Sequence, residues 1–397
     1  MRYRSLLVTV VALEIASGLP FGVVQDLAPL WLRVHGVDLA TLGAMGLVGL
    51  PWTLKALWAP VVDRTGSFRR WIAVGLAGCT IGVAALAWLA RGEGLPPVPA
   101  LLALLAFVAF ASATQDVALD GWMAQVTPED ARGPVTGARV SAYRGAMALA
   151  GGGAAWLGDR LGWSWGFGAG ALALACVGLV VTRLPSPPAR AAQPSADWGR
   201  ELLAWLATPG SAALFAFMLL YKLGDAAMTP MTRPFLLSTG LSAGEVGLVT
   251  STAGAVLVSV GALAGGAVLE RIGLRSGVWL LGGLQAVSNL AYAGAATLAQ
   301  KPIAIAAACV ESLSTGLGTA ASLAVVMTAS AGGGGRHAAT RFAALTTMAG
   351  ITRTVAGAIS GLGVEQLGYA SWFALTFLFA LPALALVPWI TPREGPR

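Results

Sequence analysis

AspArgThrGly at residues 63–66 returns as GluArgIleGly at 270–273, an offset of 207 residues, and each copy has an echo of its own. AspArgLeuGly at 159–162 follows the first by 96 residues, and GluGlnLeuGly at 365–368 follows the second by 95. One acid-x-x-Gly tetrapeptide is a common helix end, but four copies at matched spacing are a repeat. Three long apolar stretches fit in each shorter interval. An odd number of membrane crossings reverses the direction in which a repeat faces. Each half of the chain is therefore expected to hold two inverted three-helix units.

Working outward, apolar stretches fall at 5–33, 38–62, 71–90, 98–126, 134–157 and 163–183, then at 209–238, 243–268, 276–298, 302–330, 339–364 and 370–391. A bilayer crossing needs roughly 20 such residues. With 56% hydrophobic and 11% charged residues and a mean hydropathy of +0.74, the chain is not a water-facing globular protein. The expected fold class is an all-α membrane protein of twelve transmembrane helices in two six-helix halves. Residues 1–183 form the first half and 209–397 the second. Between them, 184–208 is a cytoplasmic linker rich in Pro, Ala and charge. Arg2 and Arg4 before an apolar run imitate a secretion signal, but Glu14 interrupts the run, so it reads as a retained first span.

With the N-terminus in the cytoplasm, the inside loops and tails carry fifteen Arg residues. The outside loops hold Arg33, Arg91, Arg160 and Lys301. This bias sets both termini in the cytoplasm. The net charge of +7 is scattered singly or in pairs, which argues against nucleic acid as a partner. Cys79, Cys176 and Cys309 lie in apolar runs without metal-ligand spacing. GlyGlyGlyGly at 332–335 is followed by no Lys-Ser or Lys-Thr, and no zinc motif or nucleophile elbow is present. No cofactor, metal or catalytic set is expected.

Charges kept inside lipid cost at least roughly 2.5–3.5 kcal/mol each at a helix centre, so they mark function. Asp116 and Asp120 are four apart on span 4, hence on one face, with Gln115 beside them. Adjacent carboxylates resist joint ionisation, which suits the pair to carrying a proton. The alternative is structural pairing with Arg139 or Arg144 of span 5. Lys222 and Asp225 share a face of span 7. SerGlyLeuPro at 17–20 in span 1, and Gly224, Pro230 and Pro234 in span 7, are expected to interrupt helices at corresponding places, the usual surroundings of a central binding site. Tyr221 and Lys222 would then face cargo. The 207-residue offset carries Glu14 onto Tyr221. Glu311 is expected to be a second proton site, or a partner of Lys222 or Arg353. Trp31, Trp71, Trp163 and Trp389 near span ends read as interface anchors.

Several segments resemble the AmpG-type muropeptide permeases of the major facilitator superfamily. They are SGLPFG at 17–22, LysAlaLeuTrpAlaProValValAspArg at 55–64, AlaThrGlnAspValAlaLeuAsp at 113–120, TyrArgGlyAlaMet at 143–147, TyrLysLeuGlyAspAla at 221–226, LeuGlnAlaValSerAsnLeu at 284–290 and GlyThrAlaAla at 318–321. Importers of siderophores and acetyl-CoA transporters share several of them. Ser312 after Glu311 and HisAlaAlaThrArgPhe at 337–342 depart from the pattern.

The resemblance implies a monomeric, proton-coupled importer in the bacterial inner membrane, working by alternating access on a small anionic substrate, an anhydromuropeptide. A siderophore or an acyl-CoA is the alternative cargo. The substrate-facing set is Glu14, Lys55, Gln115, Tyr143, Arg144, Tyr221, Lys222 and Asp225, and the coupling set Asp116, Asp120 and Glu311. Asp63, Arg64, Arg69, Arg70, Glu270 and Arg271 resemble the superfamily's cytoplasmic gating motif. A reading from a different class is a membrane-embedded hydrolase or transferase with Asp116 and Asp120 as acid and base. The nested repeat disfavours it, because a site open alternately to both sides uses such symmetry and an active site does not.

Overall fold

The computed structural model describes residues 3–65, 67–92, 94–128, 132–181, 205, 207–208, 210–331 and 338–390. The interhalf linker apart from 205 and 207–208, the glycine run at 332–335, Gly66 and the side chains of Asp63 and Arg64 lie outside what is described. So do His337 and most side chains of the departing segment that it begins.

Among the described residues every regular element is a helix. The twelve expected spans are present at 3–34, 39–64, 68–89, 98–126, 132–161, 163–181, 211–238, 243–272, 274–298, 301–331 and, in one helical run Ala338–Ile390, the last two. Among the described residues eight runs are long and apolar enough to cross a membrane by length and composition, and the last of them holds two spans. Spans 2, 5 and 9 fall short. They spend positions on Pro51 and Pro60, on Arg139 and Arg144, and on Gln285 and Asn289.

The repeated tetrapeptide turns out to be a helix terminator. Gly162, Gly273 and Gly368 have φ of 103°, 81° and 76° with ψ of 146°, 168° and 164°. Only glycine occupies this region readily, because it has no Cβ. Gly162 and Gly273 each close the preceding helix by donating to the carbonyl four residues back, at 3.0 Å. The next span starts at once, so the terminator folds two spans back on each other without a loop.

Two expectations about interrupted helices are corrected. Span 1 runs as α-helix through SerGlyLeuPro to Gly22, and departs from it only at Val23–Leu27, a π-helical turn. Span 7 breaks at Lys222, between Ser211–Tyr221 and Leu223–Ser238, and continues through Pro230 and Pro234. Thr229 and Thr232 hydroxyls and the Trp372 indole bond carbonyls in the turns around those prolines. Side chains of this kind let a membrane helix keep proline. Span 2, by contrast, is a series of short α and 3₁₀ pieces from Leu39 to Arg64.

The chain packs as two units. One holds spans 1 and 3–6, span 2 from Val48, and the first turns of span 8, residues 242–252. Its core includes Trp31, 2% exposed and set edge-on to Phe167 at 5.2 Å, so Trp31 is a packing residue and not an interface anchor. Two π-helical turns, Val23–Leu27 and Leu149–Gly153, pack on each other in this unit, and Ser251 of a third, Leu248–Ala253, reaches Asp26 of the first. The other unit holds span 7, spans 9–12, the rest of span 8 and the first turns of span 2, residues 38–47. Phe217, Tyr221, Leu281, Val325, Leu345 and Leu384 are among its buried core.

Candidate functional site: two charge clusters inside the spans

Each unit contains one cluster of charged side chains within its spans. In the first, helix packing sets the register. A Cβ on Gly18 of span 1 would stand 2.5 Å from the Tyr143 carbonyl of span 5, so the two backbones are in contact there. Four residues back along both helices, the same register sets Glu14 against Arg139. The Arg139 Nε donates to Glu14 Oε1 at 2.5 Å, and its Nη2 donates to Asp120 Oδ1 at 2.5 Å. Asp120 Oδ2 is met by Lys55 Nζ at 3.3 Å. One turn along span 4, Asp116 accepts the hydroxyl of Ser17. The Glu14 side chain is 4% exposed and that of Asp120 45%, so the array runs from the packed interior to an open end. Three carboxylates share two cations.

Arg144, the other expected partner, is half-buried and forms no ion pair among the described residues. Five positions of helix separate it from Arg139, about 140° of rotation, so both cannot reach span 4 on one face. Gln115 is fully buried against Gly75 of span 3, with no hydrogen-bond partner for either amide atom, so it is not at an open face as expected. The Tyr143 ring lies 6.1 Å from Phe21, which in turn is 4.9 Å from Trp52, making an aromatic arc in the same unit.

The second cluster centres on Asp225. Its Oδ2 accepts from Gln285 Nε2, from Thr315 Oγ1 at 3.3 Å and from Lys222 Nζ at 3.4 Å. Lys222 also reaches Thr319 Oγ1 at 3.4 Å. Thr315 Oγ1 lies 2.9 Å from Glu311 Oε1 as well, so one hydroxyl connects two carboxylates. Lys222 and Arg233 act on Glu311 electrostatically, while Arg353 is an exposed residue of span 11. Tyr221 does not face an opening. It is 6% exposed, tilted over Phe217 at 4.8 Å, and its hydroxyl donates to the Gly318 carbonyl at 3.2 Å. The break at Lys222 turns the lysine and Asp225 toward span 10 and leaves Tyr221 in the core.

Of the expected gating residues, Arg69 is half-buried and Arg70, Glu270 and Arg271 are exposed. Asp26 and Arg233 are ionisable residues that the sequence-derived set omits. Asp26 sits in the span 1 π turn, 9% exposed, with the Ser251 hydroxyl at 3.4 Å. Both fall within the expected span limits, and an ionisable residue inside a span was the signal that could have found them.

The model of the Major Facilitator Superfamily matches residues 10–332. The anhydromuropeptide permease of Escherichia coli (strain K12) is 32% identical over 395 residues, covering 94% of this chain and 77% of that protein. Among solved structures, a bacterial homolog of the human lysosomal transporter Spinster, inward-facing and unoccupied, superimposes with a TM-score of 0.78 at 17% identity, covering 98% of this chain and 96% of the other. The nucleoside transporter NupG gives 0.75 at 16% identity, with 97% or more of this chain covered and 98% of the other. Polar clusters in a twelve-span repeat fold, a family match over most of the chain and a relative above 30% identity lead to one conclusion: the chain is a membrane transporter of the Major Facilitator Superfamily and belongs to its AmpG-type anhydromuropeptide permeases.

Proposed function

We propose that the protein imports anhydromuropeptides across the bacterial inner membrane by proton-coupled alternating access, acting as a monomer with both termini in the cytoplasm. The observation that carries this reading is the first cluster, in which, among the described residues, Arg139 and Lys55 are the countercharges of the three acids Glu14, Asp116 and Asp120. An acid in excess inside lipid has a use if it loads and unloads a proton. Protonating Asp120 would loosen its hold on Arg139 and Lys55 and free a cation for a carboxylate of the cargo. Lys222 and Arg144 add positive charge for the same purpose. One charge moved across 100 mV is worth about 2.3 kcal/mol, enough for roughly a fifty-fold solute gradient. Asp63, Arg64, Arg69, Arg70, Glu270 and Arg271 are assigned to the conformational change, as cytoplasmic ion pairs made in one state and released in the other.

Uptake of radiolabelled anhydromuropeptide into proteoliposomes, with and without an inward proton gradient, tests this. Gradient-driven uptake lost in Asp116→Asn or Asp120→Asn is the expected result. A folded wild type that takes up nothing would redirect the cargo to a siderophore or an acyl-CoA. Uptake indifferent to the gradient would remove the coupling.

A further inference from the structure

Between spans 3 and 6 runs a groove with a volume of about 420 Å³. Small residues line it, Ala73 and Ala77 one turn apart on span 3, Ala175 and Gly178 on span 6. Large apolar side chains stand out around it: Val74, Ile81, Leu172 and Leu179 are 63–67% exposed. Exposure of that extent on two neighbouring helices identifies a face covered by hydrocarbon. Polarity is confined to one end. Thr80 turns its hydroxyl onto the Leu76 carbonyl of its own helix at 2.8 Å, so the groove is apolar beyond Arg69.

The dimensions select an occupant. Arg69 to Ile81 is twelve residues of helix, a rise of about 18 Å. The hydrocarbon of one leaflet is about 15 Å deep, half the usual core. A slot one leaflet long, with Arg69 the one charged side chain among its described lining residues and placed at its head, matches one acyl chain beneath one anionic phosphate. A zwitterionic headgroup carries its own cation and gains less from Arg69. A helix of a second copy would need a seam continuing across both leaflets, and this groove ends near the middle of the spans.

We propose that this groove is a binding site for an anionic glycerophospholipid, one acyl chain lying against Ala73, Ala77, Ala175 and Gly178 and the phosphate on the Arg69 guanidinium. Assigning it to the cytoplasmic leaflet rests on the orientation proposed above. The site itself does not, and it is independent of the cargo.

Native mass spectrometry of the full chain released from detergent, titrated with dioleoyl-phosphatidylglycerol or dioleoyl-phosphatidylcholine, tests the assignment without any transport readout. The wild type is expected to keep one phosphatidylglycerol with about a five-fold preference over phosphatidylcholine. Arg69→Gln should bring the two lipids level. Gly178→Phe should expel the bound lipid, because a Cβ at Gly178 meets nothing within 4 Å and the ring can enter the groove without displacing protein. Ala77→Leu is the second filling variant if that one does not fold. Equal retention of both lipids by the wild type would overturn the proposal, as would an unchanged preference in Arg69→Gln. Full phosphatidylglycerol binding by a folded groove-filling variant would overturn its location, and so would a lipid-free dimer.

Discussion

Arg139 serves two carboxylates at once, and that decides what its loss would do. Removing one partner of a buried ion pair costs about 3–5 kcal/mol, because the other charge is left uncompensated. Asp120 is too open to contribute much of this, so the cost falls on Glu14, 4% exposed. Arg139→Gln is therefore expected to lower the melting temperature in detergent, and Glu14→Gln in the same chain to restore most of the loss. A double variant no more stable than the single one would show that Glu14 is not the charge at issue. Thr315 poses a different question. Its hydroxyl has one proton and two carboxylate contacts, Asp225 at 3.3 Å and Glu311 at 2.9 Å. When Thr315 donates to Asp225, a protonated Glu311 can donate to Thr315, and reversal of both bonds passes the proton on. Thr315→Val keeps the shape and deletes the hydroxyl. Leaving a polar group unmet costs about 1–3 kcal/mol, so gradient-driven uptake should fall about 5- to 150-fold. Thr315→Ser should retain it, measured in the same proteoliposomes.

At the scale of elements, the span-ending glycines carry most of the fold's punctuation. Gly368, at φ 76° and ψ 164°, divides spans 11 and 12. An alanine there must hold a glycine-only conformation, at a cost of about 1–3 kcal/mol. Gly266, inside span 8 with open space around it, should accept alanine without loss. Thermal melts of the two variants check the contrast. The start of span 2 offers a pH test. Asp38 accepts the Thr41 backbone N–H at 2.7 Å and its hydroxyl at 2.8 Å, bonds that hold its carboxyl below the usual carboxylate range. A depressed acid stabilises the fold above its unfolded value and stops doing so as pH falls through the folded one. Asp38→Ala should cost about 1 kcal/mol at neutral pH. The difference from wild type should shrink below about pH 4. These elements also mark how far sequence carries. Spans and the terminator are legible because lipid imposes length and hydropathy, and a conformation without Cβ imposes glycine. The place where span 1 departs from α-helix was not legible, since Pro20 announces a disturbance but the π turn lies at Val23–Leu27. Acids such as Asp116 are conspicuous in an apolar run. Whether Arg139 or Arg144 meets Asp120, and that Tyr221 turns inward, depend on helix rotation, which a repeat offset does not encode.

For the whole molecule, membrane topology is where the charge pattern and the fold can be tested together. Twelve spans return both termini to one side, and the proposed orientation takes that side as the cytoplasm because it would hold fifteen loop and tail basic residues against four. The two arguments are independent, because adding or removing one span would reverse the charge count of every later loop. The connections after spans 3 and 8 sample opposite sides in opposite halves. Gly92 lies in the first of these connections and Ser276 in the first turn of the helix that follows the second, and both are exposed. Cys176 is exposed and Cys309 partly so, and either would add background. The test therefore starts from a chain with Cys79, Cys176 and Cys309 replaced by Ala or Ser that still inserts in the membrane. In intact spheroplasts a membrane-impermeant maleimide should label Gly92→Cys and spare Ser276→Cys, and lysis should expose the second. Labelling of Ser276→Cys before lysis, with Gly92→Cys spared, would invert the whole chain. It would move Arg69 to the outer leaflet and make the proposed import an export. Labelling of both before lysis would break the span count between them, which the glycine terminators and the family match argue against.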